Sequence, residues 1–252
     1  MLKLRIIPTL LFNNLKLVKG ISFNSWRTVG SIIQSVRLYN LRKVDELILL
    51  DISATNQNNK IDLELVNEVA SECFMPLTFG GGIKTIQDIS NLLKAGADKI
   101  CINTEATKNL DLVKEACEIF GSQCIVVSID YKKNKNNEIE IYSNSGKIKT
   151  NLVFEDYIKK IENIIAGEII LTSIDRDGTM KGYDFETISY VSRVINLPVI
   201  ASGGAGEFDD IYNLVKNSEI SGLAAASIYH FTDKTPLDLK KFLISKNIPI
   251  RL

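Results

Sequence analysis

The feature that most limits how this chain can fold is a unit that occurs once in each half. Pro76-Leu77-Thr78-Phe79-Gly80-Gly81-Gly82-Ile83 is matched by Pro198-Val199-Ile200-Ala201-Ser202-Gly203-Gly204-Ala205. Each reads as a short apolar strand running into consecutive glycines, and the two prolines stand about half of the 252-residue chain apart. A second pair keeps the offset: Ile102-Asn103-Thr104 and Ala226-Ser227. Glycines at a strand end let backbone N–H groups approach an anion, and a helix starting there adds its dipole. Two such units point to two phosphate sites, one per half. Glycines that merely turn a strand into a helix are the plainer alternative, and the repetition argues against it.

Strand-like and helix-like runs alternate throughout. Strands are expected at 4–11, 46–51, 76–80, 98–102, 123–130, 167–173, 197–202 and 221–226. Their nearly continuous apolarity suits parallel strands buried on both faces. Amphipathic segments lie between them, as at 61–73, 112–120 and 211–215. Eight such strand–helix units predict a single (β/α)8 barrel domain over 1–252, with a doubly wound sheet as runner-up. Two connections are long, 12–29 and 131–150, and both leave C-terminal strand ends, where barrel enzymes keep their chemistry. The first, with Lys19, Phe23 and Trp26, is expected to be a lid over substrate. The second contains the alternating run 138–142, which suits a small hairpin.

Composition narrows the partners. The formal net charge is zero, with 30 basic and 30 acidic residues, and no basic run makes a nucleic-acid footprint. The apolar run 6–12 is too short and interrupted for a signal segment or membrane span. Cys73, Cys101, Cys117 and Cys124 lack metal-ligand spacing, so buried, reduced thiols in a cytoplasmic protein are expected, with no metal and no cofactor.

Three expected strands end in Asp51, Asp130 and the Asp175–Asp177 segment. A carboxylate at the top of a barrel strand can move protons or hold hydroxyls and amines. Helix capping is the alternative and suits Asp177. It gains nothing at Asp130, which precedes a long loop. By the half-chain repeat, the mate of Asp130 is Leu11, which cannot transfer a proton. Pro8 removes a backbone donor from the same strand.

Together these stretches resemble the HisF family, the cyclase subunit of imidazole glycerol phosphate synthase, over essentially the full length. The matching segments include Val18-Lys19-Gly20, 45–51, Gly80 to Ile83, Gly96 to Lys99, Ile102 to Thr104, Phe120 to Gln123, Leu171 to Gly178, Ala201 to Gly206 and Ala225 to Ser227. The resemblance implies a (β/α)8 barrel that receives ammonia from a HisH-type glutaminase in a heterodimer. The family's reaction splits a bis-phosphorylated ribulosyl aminoimidazole-carboxamide nucleotide into imidazole glycerol phosphate and the aminoimidazole-carboxamide ribotide. It places one phosphate at Gly82, Asn103 and Thr104, and the other at Asp177, Gly178, Gly204, Ala226 and Ser227, with Thr172 and Ser202 in the same pocket. Lys19 would sit on the mobile loop, Asp51 in the pocket, and Asp130 would do the acid–base work. Arg5, Glu46, Lys99 and Glu168 match a charged ring that admits ammonia at the opposite end, with Asp98 and Gln123 on the docking surface. A plain salt-bridge plug is the alternative for that ring.

One position departs from the pattern. The family ends its first strand with Cys-Leu-Asp, whereas this chain has Thr9-Leu10-Leu11. With Pro8, this is similar to a branch that accompanies surface-sugar gene sets and relays ammonia to a separate amidotransferase in acetamidino-sugar synthesis. A sibling phosphoribosyl isomerase shares the barrel and phosphate sites, but it too wants a carboxylate on the first strand.

Overall fold

A computed structural model describes residues 3–57 and 60–251. Among these, twelve strands form: β1 (Arg5–Asn13), β2 (Lys16–Ile21), β3 (Asn24–Gly30), β4 (Leu47–Asp51), β5 (Leu77–Gly80), β6 (Lys99–Ile102), β7 (Ile125–Lys133), β8 (Ile139–Ser143), β9 (Ile148–Lys149), β10 (Glu168–Ser173), β11 (Val199–Ser202) and β12 (Gly222–Ala225). Eight are mutually parallel, in the order β10-β11-β12-β1-β4-β5-β6-β7, and pairing of β7 with β10 closes the ring. Eight long helices follow these eight strands in turn, as a (β/α)8 barrel requires.

The strands are apolar on both faces because each face has its own core. Outward residues such as Ile6, Leu10, Leu47, Leu49 and Ile169 pack under the helices. Inward residues Ile7, Ile48, Cys101, Val126, Ile170, Ile200 and Ala224 form a separate cluster inside the barrel, with Leu50 against it. Three of the helices begin at a side chain that pairs with their orphan N–H groups, one of them at Asp62. Thr85 and Asp88 make a capping box for Ile86–Lys94, and Thr235 and Asp238 do the same for Pro236–Ser245, which carries proline in its first turn.

Both long connections are built as sheet. β1 runs beyond the barrel and pairs antiparallel with β2, which pairs with β3. The expected mobile loop carrying Lys19 is therefore a hairpin, and Lys19 lies buried on β2. β7 likewise overruns the barrel and pairs with β8, which pairs with β9, so the alternating segment is the middle strand of a three-stranded meander. The two inserts leave β1 and β7, which stand four strands apart in the closed ring. They meet over the barrel mouth, where a side chain at Gly146 would press on the Phe23 ring. The Asn144 N–H donates to Thr104 Oγ1 at 3.1 Å, and Ser145 Oγ donates to the Ile52 carbonyl at 3.0 Å.

The cysteines differ from expectation. Cys101 is buried, but Cys73, Cys117 and Cys124 are half-buried. Cys124 lies in a 3-10 turn ahead of β7 rather than in the strand. No helix among the described residues is long and apolar enough to cross a membrane.

Candidate active site

The C-terminal ends of the strands surround a cavity of about 140 Å³. Lys19, Asp51, Gly82, Asn103, Thr104, Asp130, Thr172, Asp177, Gly178, Ser202, Gly204, Ala226 and Ser227 all line it. So do Leu11, Ser128, Ser145, Phe23 and Trp26. Alternation along the strands explains the convergence, because residues two apart share a face. On β7, Val126 lies in the lumen, and Ser128 and Asp130 follow it upward into the cavity.

The glycine turns take opposite sides. The ends of β6 and β12 are four strands apart in either direction around the ring. Asn103 stands at the head of the short helix Thr104–Lys108, and Ala226 at the head of Ser227–Phe231. Asn103 Nδ2 donates to the Ser128 carbonyl at 3.0 Å, tying that turn to β7. Ser227 Oγ is buried without a hydrogen-bond partner. Buried polar atoms are seldom left unpaired, so an orphan hydroxyl facing a cavity suits a polar ligand. Gly178 has φ +77°, and a Cβ there would collide with the Gly20 carbonyl oxygen; Gly204 has φ +109°, and a Cβ would strike the Gly182 carbonyl oxygen. Both positions thus require glycine for conformation as well as for close approach.

Lys19 is held by Asp177, with Nζ–O distances of 2.8 and 2.6 Å, and the pair is largely shielded from solvent. The Ser22 N–H donates to the Asp177 carbonyl at 2.8 Å, so one residue fastens the hairpin twice. Asp51 has a capping role as well as a place in the cavity. Its Oδ1 accepts from the N–H groups of Ser53 and Ala54 at 2.8 and 3.0 Å.

Asp130 is buried, and burial pushes its pKa from 3.8 up to about 7. A hydrogen bond from Ser128 Oγ at 3.3 Å opposes that rise, and the negative charge of Asp177 adds to it. An acid that titrates near neutrality can both give and take a proton. Opposite it, four strands away on β1, stands Leu11.

At the other end of the lumen, four charges close a cycle. Arg5 Nη1 reaches Glu46 at 2.7 Å and Glu168 at 2.8 Å; Lys99 Nζ reaches the same two carboxylates at 3.1 and 2.9 Å. Burial works against the Arg5 charge, but Glu168 and Glu46 outweigh it and raise the pKa. Asp98 and Gln123 are exposed at this same end, and Asp98 also accepts the Leu77 N–H at 2.8 Å. Leu41, which ends the helix Ile32–Leu41 before β4, and Phe74 and Ile165, in the connections leading into β5 and β10, expose 80, 85 and 67% of their surface. Sequence reasoning missed this apolar rim, since the end of a surface helix gives no sign of which residue points away from the protein. Lys99→Met leaves two buried carboxylates sharing one cation, and should cost about 3 kcal/mol in a urea unfolding measurement. A loss below about 1 kcal/mol would mean that water reaches the ring and screens it.

A family profile described as "Histidine biosynthesis protein" matches residues 5–235. Imidazole glycerol phosphate synthase subunit HisF of Dictyoglomus turgidum is 46% identical over 252 residues, covering all of both chains. The subunit of that name from Natranaerobius thermophilus is 43% identical over 252 residues, and one from Clostridium botulinum is 42% identical over 253, again with full coverage of both. With the closed barrel and the full-length identity in agreement, the chain belongs to the HisF family.

Proposed function

We propose that this protein is a HisF-type subunit of an imidazole glycerol phosphate synthase. It takes ammonia from a HisH-type glutaminase bound as a heterodimer and uses it on the bis-phosphorylated ribulosyl aminoimidazole-carboxamide nucleotide. The observation that carries this reading is the opposition of the two glycine turns across one cavity, with Asp130 on the wall between them. Gly82, Asn103 and Thr104 would hold one phosphate. Gly178, Gly204, Ala226 and Ser227 would hold the other, with Lys19 and Asp177 beside it. Thr172, Ser202 and Asp51 would bind the hydroxyls between. Asp130 would move the protons, alone.

Ammonia would enter through the ring of Arg5, Glu46, Lys99 and Glu168. The apolar cluster above the ring passes a small neutral molecule more readily than an ammonium ion, because burying an unpaired charge is costly. Asp98, Gln123 and the exposed Leu41, Phe74 and Ile165 would lie under the glutaminase, and the complex would work in the cytoplasm.

Leu11 favours a second reading. With the strand-one carboxylate replaced, the subunit would close the ring slowly or not at all, and would relay ammonia to a sugar amidotransferase. The test is turnover of the nucleotide by purified protein supplied with an ammonium salt, followed by absorbance. Turnover comparable to that of an aspartate-bearing cyclase supports the first reading and sinks the relay. Binding of the nucleotide without turnover supports the second.

A further inference from the structure

Strand β1 presents Arg5, Ile7, Thr9 and Leu11 to the barrel interior, at successive heights. Arg5 belongs to the charged ring and Ile7 to the apolar cluster, while Leu11 faces the cavity. Thr9 lies between them. Its hydroxyl is buried and has no hydrogen-bond partner. It lines the cavity together with Ile48, Cys101, Ile170 and Ala224, which belong to the apolar cluster, and Ile48 is its partner in the β1–β4 register. Between the ring and the cavity it is the single polar side chain on the inward face of β1.

An unpaired buried hydroxyl is destabilising, and valine would fill the same space without it. Its retention beside the apolar cluster, with no partner of its own, calls for a visitor that pairs with it. A hydroxyl offers one donor and two acceptor sites. Ammonia, with three N–H groups and one lone pair, complements both. We propose that Thr9 is the station at which ammonia leaves the apolar lumen and is handed into the cavity. The proposal rests on the reading that ammonia arrives from the charged end. Thr9 acts as a positioning residue: it holds the nitrogen at the top of the lumen, where the lone pair can turn toward a ligand lying between the glycine turns.

The deciding test needs no glutaminase. Crystals of the protein soaked in methylamine at alkaline pH should show the amine, recognisable by its methyl group, within hydrogen-bond distance of Thr9 Oγ1. Thr9→Ser should retain it and Thr9→Val should lose it. Water alone at Thr9, or the amine seated elsewhere in the lumen, overturns the proposal. Thr9→Val should also raise the melting temperature by about 2–4 °C, as expected when an orphan hydroxyl is removed from a chain of this size; a fall would reveal a structural partner and overturn it too. In a complex with a HisH-type glutaminase fed amide-labelled glutamine, Thr9→Val should at least double the share of label released as free ammonia, with Thr9→Ser close to the parent. An unchanged share contradicts the hand-over. If no glutaminase binds, it is the proposed function that fails, and the amine soak still decides the role of Thr9.

Discussion

Leu11→Asp should raise ammonium-dependent turnover of the bis-phosphorylated nucleotide by about 10²–10⁴-fold, the range that a positioned acid or base contributes. The reason is geometric. Leu11 and Asp130 leave half-barrel-equivalent strands, four apart around the ring, and both line the one cavity. An aspartate at 11 would face Asp130 across the ligand and supply a second proton-transfer group. It would also bring a further carboxylate, without a partner, to a buried position, so the variant should be less stable by about 1–3 kcal/mol. The gain is read as initial rate at saturating ammonium salt, and the loss as a shift in urea midpoint. A variant that folds, binds the nucleotide and stays as slow as the parent would show that Leu11 is not what limits the chemistry.

Asp130→Asn should act in the opposite sense on each axis. Turnover should fall by about 10²-fold or more, since the amide cannot exchange a proton. Stability should rise, and in a pH-dependent way. Burial lifts the Asp130 pKa to about 7 from an ordinary 3.8, so the folded protein holds this proton more tightly than the unfolded chain does. A raised carboxyl pKa means stability that is fully present below the unfolded value and is lost as pH climbs through the folded one. The asparagine variant escapes that loss. Near pH 8 it should be the more stable protein by about 2–4 kcal/mol, and below about pH 4 the advantage should vanish. Urea midpoints of both proteins across this range check the sign. A constant difference at all pH values would mean that Asp130 is ionised in the folded protein well below neutrality.

Much of the architecture could be read from residues alone. The eight expected strands match the barrel strands to within two residues at nearly every end, because continuous apolar runs bounded by glycine or aspartate leave few alternatives. The glycine turns and the acids at strand ends all reach the cavity, since a parallel barrel delivers every C-terminal strand end to one face. The hairpin bearing Lys19 was less legible. Its turns, Asn14–Leu15 and Ser22–Phe23, have φ between 48° and 64° without a glycine in either, so the usual signal for such a turn is missing. Its strands are held by pairing with the overrun of β1 and by the Lys19–Asp177 contact, both tertiary effects. Ser145 was hidden for the same reason, since it comes to the cavity from the tip of the distal meander. The orphan state of Thr9 and Ser227 has no counterpart in sequence at all, for it depends on what every neighbouring strand leaves unpaired.

A crystal structure with the bis-phosphorylated nucleotide bound tests the central claim most directly. The expected result is one phosphate against Gly82, Asn103 and Thr104 and the other against Gly178, Gly204 and Ser227, with the linking sugar over Asp130. A cavity that stays empty at saturating nucleotide, or a nucleotide that leaves both glycine turns unoccupied, would contradict it.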